Sequence, residues 1–131
     1  MTRRQAREQA FILLFEKSFN PEKTIDELLD LAKDLRMLED DAFVSSLLHT
    51  AWDNLEAIDE QISRNSKGWN INRIPKVTLA IIRLALAEIL FVDDVPDGVA
   101  VNEAVELAKL YATPEDASYI NGLLGTVVRL K

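Results

Sequence analysis

The 131-residue sequence contains no cysteine, and glycine and proline occur only four times each. The absence of cysteine excludes disulfide bonds, thiolate metal sites and cysteine nucleophiles. The scarcity of glycine and proline, beside abundant alanine, leucine, isoleucine and glutamate, favours an all-helical chain. A chain of this length forms one domain or two small subdomains that share a core, and it can fold without a metal or a disulfide.

The sequence also lacks a long uninterrupted apolar run. The longest one, from Val77 to Val92, is interrupted by Thr78, Arg83 and Glu88, so it is too polar for a good membrane span. The first residues contain no apolar signal core. We therefore predict a soluble, cytoplasmic protein that does not bind membranes.

Basic residues are outnumbered by acidic ones, 15 to 22, so the formal net charge is −7 and the pI is about 4.7. The excess acid lies in one block, because residues 22–60 contain twelve acidic and three basic residues, a net charge of −9. The remaining residues carry ten acidic and twelve basic residues, a net charge of +2. Bulk charge argues against a nucleic-acid binder, but the remainder can still present a local basic patch that steers a partner.

Capping boxes, apolar stripes and turn signals predict six helices. The first begins at "TRRQ", the second at "TIDE", and the third runs from near Asp40 to about Arg64. After a break at "NSKGWNIN", the fourth spans about 75–91, the fifth about 101–111 after the turn "DDVPDG", and the sixth runs from "TPED" to near Leu130. The fourth helix is apolar on nearly every side, which predicts that it is wrapped by other helices and forms the central strut of the second half. We predict two packed three-helix subdomains, residues 1–66 and 67–131.

Few residues have the arrangement of a catalytic or metal site. His49 is the only histidine, and we interpret it as a surface or half-buried helix residue rather than a ligand, because histidine metal sites need further ligands nearby. No nucleophile elbow or glycine-rich phosphate loop is present. The acids of "LEDDAF" and "VDDVPD" are interpreted as caps or solvated charge. We predict no catalytic activity, no metal and no cofactor.

The opening "MTRRQAREQAFILLF" places Arg3, Arg4 and Arg7 in the first turns of the first helix. Positive charge there opposes the helix macrodipole and is unfavourable for stability, which favours a functional role for these arginines. Arginine side chains match phosphate geometry and stack on bases. On a helical wheel Arg4 and Arg7 share one flank with Phe11 and Phe15. This flank suits RNA or a protein partner; alternatively, the two phenylalanines only widen the core face.

Longer stretches make a family recognisable. "WNINRIPKVTLAIIRLALAEILF" and "DVPDGVAVNEAVELAKLYATPEDASYINGLLG", together with "RRQAREQAFILLF", resemble the NusB family of bacterial transcription antitermination factors. The resemblance extends from Arg3 to about Val127, although residues 22–62 match only as amphipathic helices. It implies an all-α fold of two three-helix subdomains. It also implies a factor that binds the boxA element of ribosomal-operon RNA together with NusE, a ribosomal protein of the small subunit, within an RNA-polymerase antitermination complex.

The resemblance implies RNA contacts by Arg3, Arg4 and Arg7 of the first helix, and by Tyr119 and Asn121 of the "YINGLL" stretch. It implies NusE contacts by Phe15 and Glu88. Lys67 and Lys109 are added as candidate phosphate contacts. Four further polar residues are interpreted as structural, holding the junction between the halves through caps and ion pairs: Arg73, Arg83, Asn102 and Glu103. Trp69 is interpreted as a packed plug in the turn between the halves rather than as an RNA-stacking residue.

The chain departs from the family pattern at Tyr119, where phenylalanine is usual, and at Gly125, where an acid is frequent. Both departures bear on RNA contact by the last helix.

The alternative function is a helical adaptor that binds proteins only. A third reading is enzymatic, because a NusB-like domain also precedes some ribosomal-RNA cytosine methyltransferases; without a cofactor-binding domain, methyl transfer is not expected. When free, the protein could form a homodimer through exposed Phe11 and Phe15.

Overall fold

The computed structural model describes residues 1–35, 42–66 and 70–131, and these form seven α-helices without a strand. The helices are α1 (Arg3–Phe19), α2 (Ile25–Asp34), α3 (Ala42–Asp53), α4 (Leu55–Asn65), α5 (Lys76–Phe91), α6 (Asp97–Tyr111) and α7 (Pro114–Leu130), with a 3₁₀ turn at Ile71–Arg73 before α5. The predicted all-α fold is confirmed. Neither Lys67 nor Trp69 is among the described residues, so their predicted roles lie outside them.

Three helices begin at threonine caps where the sequence predicts them. The hydroxyl of Thr2 accepts a hydrogen bond from the Gln5 N–H, and the Gln5 side chain accepts one from the Thr2 N–H. The same reciprocal pair starts α2 at Thr24 and α7 at Thr113. Each pair satisfies two backbone donors that the first helical turn leaves without partners, which fixes where these helices begin.

The prediction of one long third helix is wrong, because this segment forms α3 and α4 with an interruption at Asn54. Asn54 has φ −112° and ψ 20°, and its side-chain amide donates to the Thr50 carbonyl oxygen at 2.8 Å. An asparagine side chain that bonds to the backbone competes with regular helix. The apolar stripe continues across the break through buried Ala51 and Ile58, so periodicity alone did not reveal it.

The prediction that α6 begins near residue 101 is also wrong, because it begins at Asp97. Asp97 and Gly98 form its first turn rather than a turn before it. The carbonyl oxygen of Pro96 accepts hydrogen bonds from the N–H groups of Val99 and Ala100 at 3.0 and 3.2 Å. The carboxylate of Asp97 is favourable at this end of the macrodipole, which outweighs the turn signal in "PDG".

Helix α5 is predicted as the central strut of the second half, and in the structure it is the centre of both halves. Ten of its sixteen residues are buried, and it packs against α1, α3, α4, α6 and α7. Arg83 binds Asp59 of α4 through two hydrogen bonds of 2.9 and 2.8 Å, which confirms its predicted junction role. The two halves of the chain therefore share one core around α5, and the division at residues 66 and 67 stays a prediction.

We expect the substitution Thr78→Val to raise the free energy of unfolding by about 1 kcal/mol, because it removes a hydroxyl whose burial is uncompensated. Thr78 lies on α5 with 1% of its surface exposed, and its Oγ1 has no hydrogen-bond partner among the described residues. Urea denaturation measures the change. The control is Thr126→Val, because the Thr126 hydroxyl donates to Gly122 and accepts from Arg129. Equal or lower stability of Thr78→Val would contradict the prediction.

Candidate nucleic-acid interface

Arg3 and Arg4 are exposed at the start of α1, where no acidic residue lies in the first turn. The Arg3 guanidinium carbon lies 4.0 Å from the centroid of the Phe43 ring, at the start of α3. Among the described residues no carboxylate lies within ion-pair distance of Arg3. Its charge is therefore available to an anionic ligand while its position is fixed by the ring.

Arg4 forms a fork-to-fork ion pair with Glu103 of α6, through two hydrogen bonds of 3.1 Å each. This contact raises the pKa of the Arg4 guanidinium above its ordinary value, through hydrogen bonding to Glu103 and then through its charge, with a smaller contribution from Glu106. One turn along α6, Glu106 pairs with Lys109 at 3.3 Å. Arg4 and Lys109 thus lie at the two ends of one charged row, which brings two candidate phosphate contacts onto the same outer face.

Arg7 and Glu88 form a buried ion pair between α1 and α5, with 6% and 2% of their surfaces exposed. The Nε atom of Arg7 lies 2.9 Å from Glu88 Oε1, and its Nη2 atom lies 3.0 Å from Glu88 Oε2. In this arrangement neither side chain reaches the surface on which RNA or a protein partner would lie. Their direct RNA and NusE contacts remain predictions that require this pair to open.

Aromatic side chains form a row along α1. Phe11 is buried, Phe15 is half-buried and Phe19 is 57% exposed. The Phe15 ring centroid lies 5.0 Å from that of Phe19, in an edge-to-face arrangement, and the Phe11 centroid lies 5.0 Å from that of Tyr111 in α6. The prediction of an exposed Phe11 is therefore wrong, because α6 covers it. Phe15 and Phe19 form the accessible end of the row.

Tyr111 covers this row from α6 and is 43% exposed. Partial burial raises the pKa of the Tyr111 hydroxyl above its ordinary value, and a hydrogen bond to Glu8 and the charge of Glu8 add to the effect. The phenol therefore stays neutral at physiological pH and can donate to Glu8. The ring contact between Phe11 and Tyr111 links the end of α6 to α1 beside this row.

Tyr119 and Asn121 lie on the first half of α7. Asn121 is exposed, whereas Tyr119 is half-buried and shares a hydrogen bond between its hydroxyl and that of Ser66. Tyr119 lines a cleft of about 490 Å³ between α4 and α7, which also contains Arg64 and Arg129. Asparagine amides and aromatic rings are common readers of unpaired RNA bases, so this face offers a second contact region.

The two candidate regions lie on helices, α1 and α7, that share no extensive packing contact among the described residues. Helix α1 packs against α2, α3 and α5, whereas α7 packs against α4, α5 and α6. Helix α6 links them, since it packs against α7 and reaches α1 through Arg4 and Tyr111. A ligand that follows this link from Arg4 to α7 passes over α6, the helix that carries Lys109.

Sequence reasoning missed the position of Phe43 and Asp94. Phe43 is half-buried and forms a cleft with Arg3 and Asp94. Phe43 lies in the first turn of α3, where the buried face of the helix reaches solvent. This position at a helix end is the signal that could have indicated its partial exposure. The role of Asp94 depends on a loop whose path the sequence does not specify.

The described residues contain no group of three or more histidine, aspartate or glutamate side chains that could hold a metal ion. His49 is half-buried and pairs with Asp26 of α2 at 2.9 Å, which gives it a structural contact between α2 and α3. Within the part of the chain that the structure covers, none of the helices combines the length and apolarity needed to cross a membrane.

Comparisons with known proteins agree with the fold. The model of the NusB family matches residues 4–129. The transcription antitermination protein NusB of Natranaerobius thermophilus is 40% identical over 97% of this chain and 94% of its own length. The NusB structure from T. maritima is 30% identical, with a TM-score of 0.86 over 98% of this chain and 92% of that one. A structure of antitermination factors NusB and NusE with double-stranded RNA shares the fold, with a TM-score of 0.86 at 24% identity over the full length of both chains. The chain belongs to the NusB family.

Proposed function

We propose that the protein is an RNA-binding transcription antitermination factor that binds boxA of ribosomal-operon RNA together with NusE. The observation that carries this proposal is the exposed pair Arg3 and Arg4 at the start of α1. Its full-length relatives are named transcription antitermination proteins, and a chain of the same fold forms a complex with NusE and RNA. The proposal makes the protein a binding factor in an RNA-polymerase complex in the cytoplasm, without an enzymatic activity of its own.

The position of the two arginines supports a phosphate-binding role. A positive charge in the first turn of a helix is unfavourable by a few tenths of a kcal/mol, because the macrodipole is positive there. The fold keeps two such charges at this end of α1 without an acid in the turn. An RNA phosphate would compensate both the side chains and the free N–H groups of the turn. Arg3 is ready for this contact, whereas Arg4 must exchange Glu103 for a phosphate.

The proposed RNA path starts at Arg3 and Arg4, crosses α6 at Lys109 and reaches Tyr119 and Asn121 on α7. Phosphate contacts at the basic residues would supply affinity, and the α7 residues would contact bases. The predicted phosphate contact by Lys67 falls on a residue outside the described ranges. Arg7 supports the path from inside, because its ion pair with Glu88 holds α1 on α5 and so fixes the position of Arg3 and Arg4.

For NusE we propose a contact surface around Phe15, with the exposed ring of Phe19 beside it. Aromatic residues are enriched where protein interfaces lose contact with water. Glu88 would support this surface from the core rather than touch the partner in the arrangement seen here. The acidic block at residues 22–60 would speed the approach of a basic ribosomal protein.

We expect the double variant Arg3→Ala/Arg4→Ala to bind boxA RNA about tenfold more weakly, and to show a slope of log K against log salt that is smaller by about 1–2, because each lost phosphate contact removes about one unit of slope. Fluorescence anisotropy of labelled boxA RNA, at two salt concentrations and with or without NusE, measures both quantities. We expect weak binding by the protein alone and much tighter binding by the pair.

The control is Lys23→Ala, which removes one positive charge at the opposite end of α1, about 24 Å away by the helical rise. The Lys23 N–H donates to the carbonyl oxygen of Asn20, the residue that ends α1, at 3.0 Å. The control should keep most of the affinity and slope. If the wild type ignores RNA even in the presence of NusE but still binds NusE, the adaptor that binds proteins only becomes the better account.

A further inference from the structure

A cleft of about 620 Å³ opens between the start of α1, the start of α3 and the loop between α5 and α6. This volume lies within the range of roughly 300–1,000 Å³ that is typical of small-molecule sites. Among the described residues, its apolar lining comes from five side chains: Ala42, Phe43, Leu47, Val92 and Val95. Its polar lining consists of Arg3, Ser46 and Asp94. The cleft therefore joins an apolar surface to one cation, one hydroxyl and one carboxylate.

Arg3 and Phe43 form a stacking platform at this cleft. The guanidinium carbon lies over the ring, 4.0 Å from its centroid, while the Arg3 side chain remains exposed to solvent. Planar nucleobases stack on aromatic rings and on arginine planes. A base on this platform would place its own phosphate near Arg3 and the neighbouring Arg4.

Asp94 and Ser46 provide hydrogen-bonding groups beside the platform. Neither side chain has a hydrogen-bond or ion-pair partner among the described residues, and Asp94 is exposed in the loop before α6. A carboxylate accepts hydrogen bonds from the exocyclic amino group of a base, as acidic side chains do with cytosine. Uracil lacks that group and presents carbonyl oxygens on both sides of its single N–H. The carboxylate therefore disfavours uracil and favours a base with an amino group.

We propose that this cleft holds one unpaired RNA base, stacked by Arg3 and Phe43 and selected by Asp94 for an exocyclic amino group. The proposal rests on the proposed RNA-binding function and adds a base-reading site to it. In this arrangement Arg3 serves both the phosphate and the base, which links the end of α1 to sequence recognition rather than to affinity alone.

The test uses the complex of the full chain with NusE and a panel of boxA RNAs in which each position in turn carries each of the four bases or an abasic nucleotide. At one position the wild type should bind an amino-bearing base about tenfold more tightly than uracil. In Asp94→Asn this preference should fall to about threefold or less. Asp93→Asn is the matched control, because Asp93 is a neighbouring exposed acid that does not line the cleft; it should keep the full preference.

A second variant tests the platform. Phe43→Leu keeps an apolar side chain in α3 but removes the ring, and its thermal midpoint shows whether the fold is intact. An abasic nucleotide at the selected position should weaken binding by the wild type about tenfold, yet weaken Phe43→Leu little, because the stacking is already lost.

Three results would overturn the site. The base preferences of Asp94→Asn could match those of the wild type at every position. The losses of RNA affinity caused by the abasic nucleotide and by Phe43→Leu could simply add, which would show that the ring does not stack on that base. Alternatively, Phe43→Leu could weaken NusE binding and leave the base preferences unchanged, which would assign the cleft to the protein partner. In all three cases RNA still binds and the proposed function survives. Absence of RNA binding by the wild-type complex overturns both proposals.

Discussion

Replacing Glu88 with leucine is expected to lower the free energy of unfolding by about 3–5 kcal/mol, because the substitution leaves a buried charge without its partner. Glu88 is 2% exposed and accepts three hydrogen bonds from Arg7, which is itself 6% exposed. With Glu88 removed, the guanidinium must either remain buried without a carboxylate or pull α1 away from α5. Urea denaturation of the variant and the wild type measures the loss.

The double variant Arg7→Met/Glu88→Leu separates the charge effect from a packing effect. Replacing both partners of a buried ion pair with apolar side chains of similar size is often neutral or stabilising. We therefore expect the double variant to recover most of the stability that Glu88→Leu loses. A double variant as unstable as the single one would contradict this explanation and indicate that the shape of the pair, rather than its charge, is required.

The same double variant decides the role of Glu88 in partner binding. If Glu88 only supports α1 from the core, the refolded double variant should bind NusE with an affinity close to that of the wild type. If Glu88 touches NusE directly, the double variant should regain stability without regaining NusE binding. Stability and NusE affinity must be measured on the same preparation for this comparison.

The substitution Leu86→Ala is expected to lower the free energy of unfolding by about 2–5 kcal/mol, because it opens a cavity in the middle of the core. Leu86 is fully buried on α5, the helix that packs against five others, so its surroundings have little room to collapse into the space. Leu110→Ala is the matched control on α6, where the leucine is 70% exposed. The control should change stability by no more than about 0.5 kcal/mol.

Urea denaturation of Leu86→Ala should show a lower midpoint with an unchanged slope, as expected when stability alone is altered. Equal losses for Leu86→Ala and Leu110→Ala would contradict the assignment of α5 as the shared centre of both halves.

The parts of the fold that local rules determine could be predicted from the sequence. Threonine followed three residues later by glutamine or glutamate marked the starts of α1 and α2, and a threonine cap followed by proline and two acids marked the start of α7, because caps are contacts between near neighbours. The apolarity of α5 on nearly all sides indicated a buried helix, because each of its faces must pack against another apolar surface. Neither feature depends on how distant parts of the chain are arranged.

The parts that depend on distant contacts could not be predicted. The helical wheel placed Arg7 on the flank of Arg4, but Arg7 is buried because Glu88, 81 residues away, meets it from α5. Phe11 is likewise covered by Tyr111 of α6. The break at Asn54 depends on one side-chain hydrogen bond that leaves the apolar period intact. Four of the candidate RNA residues are exposed: Arg3, Arg4, Lys109 and Asn121. Composition and motif were therefore enough to find accessible side chains, but they did not show which of them form ion pairs with other helices.

The central position of α5 has a consequence for the order in which the chain folds during synthesis. Helices α1 to α4 leave the ribosome first, yet α1, α3 and α4 all pack against α5, which begins only at Lys76. Helices α1, α2 and α3 can pack against one another, but until α5 has emerged the faces of α1, α3 and α4 that pack against it stay uncovered. A nascent chain of about 65 residues therefore exposes the apolar faces that chaperones bind, and the stable fold forms only when the helix shared by both halves becomes available.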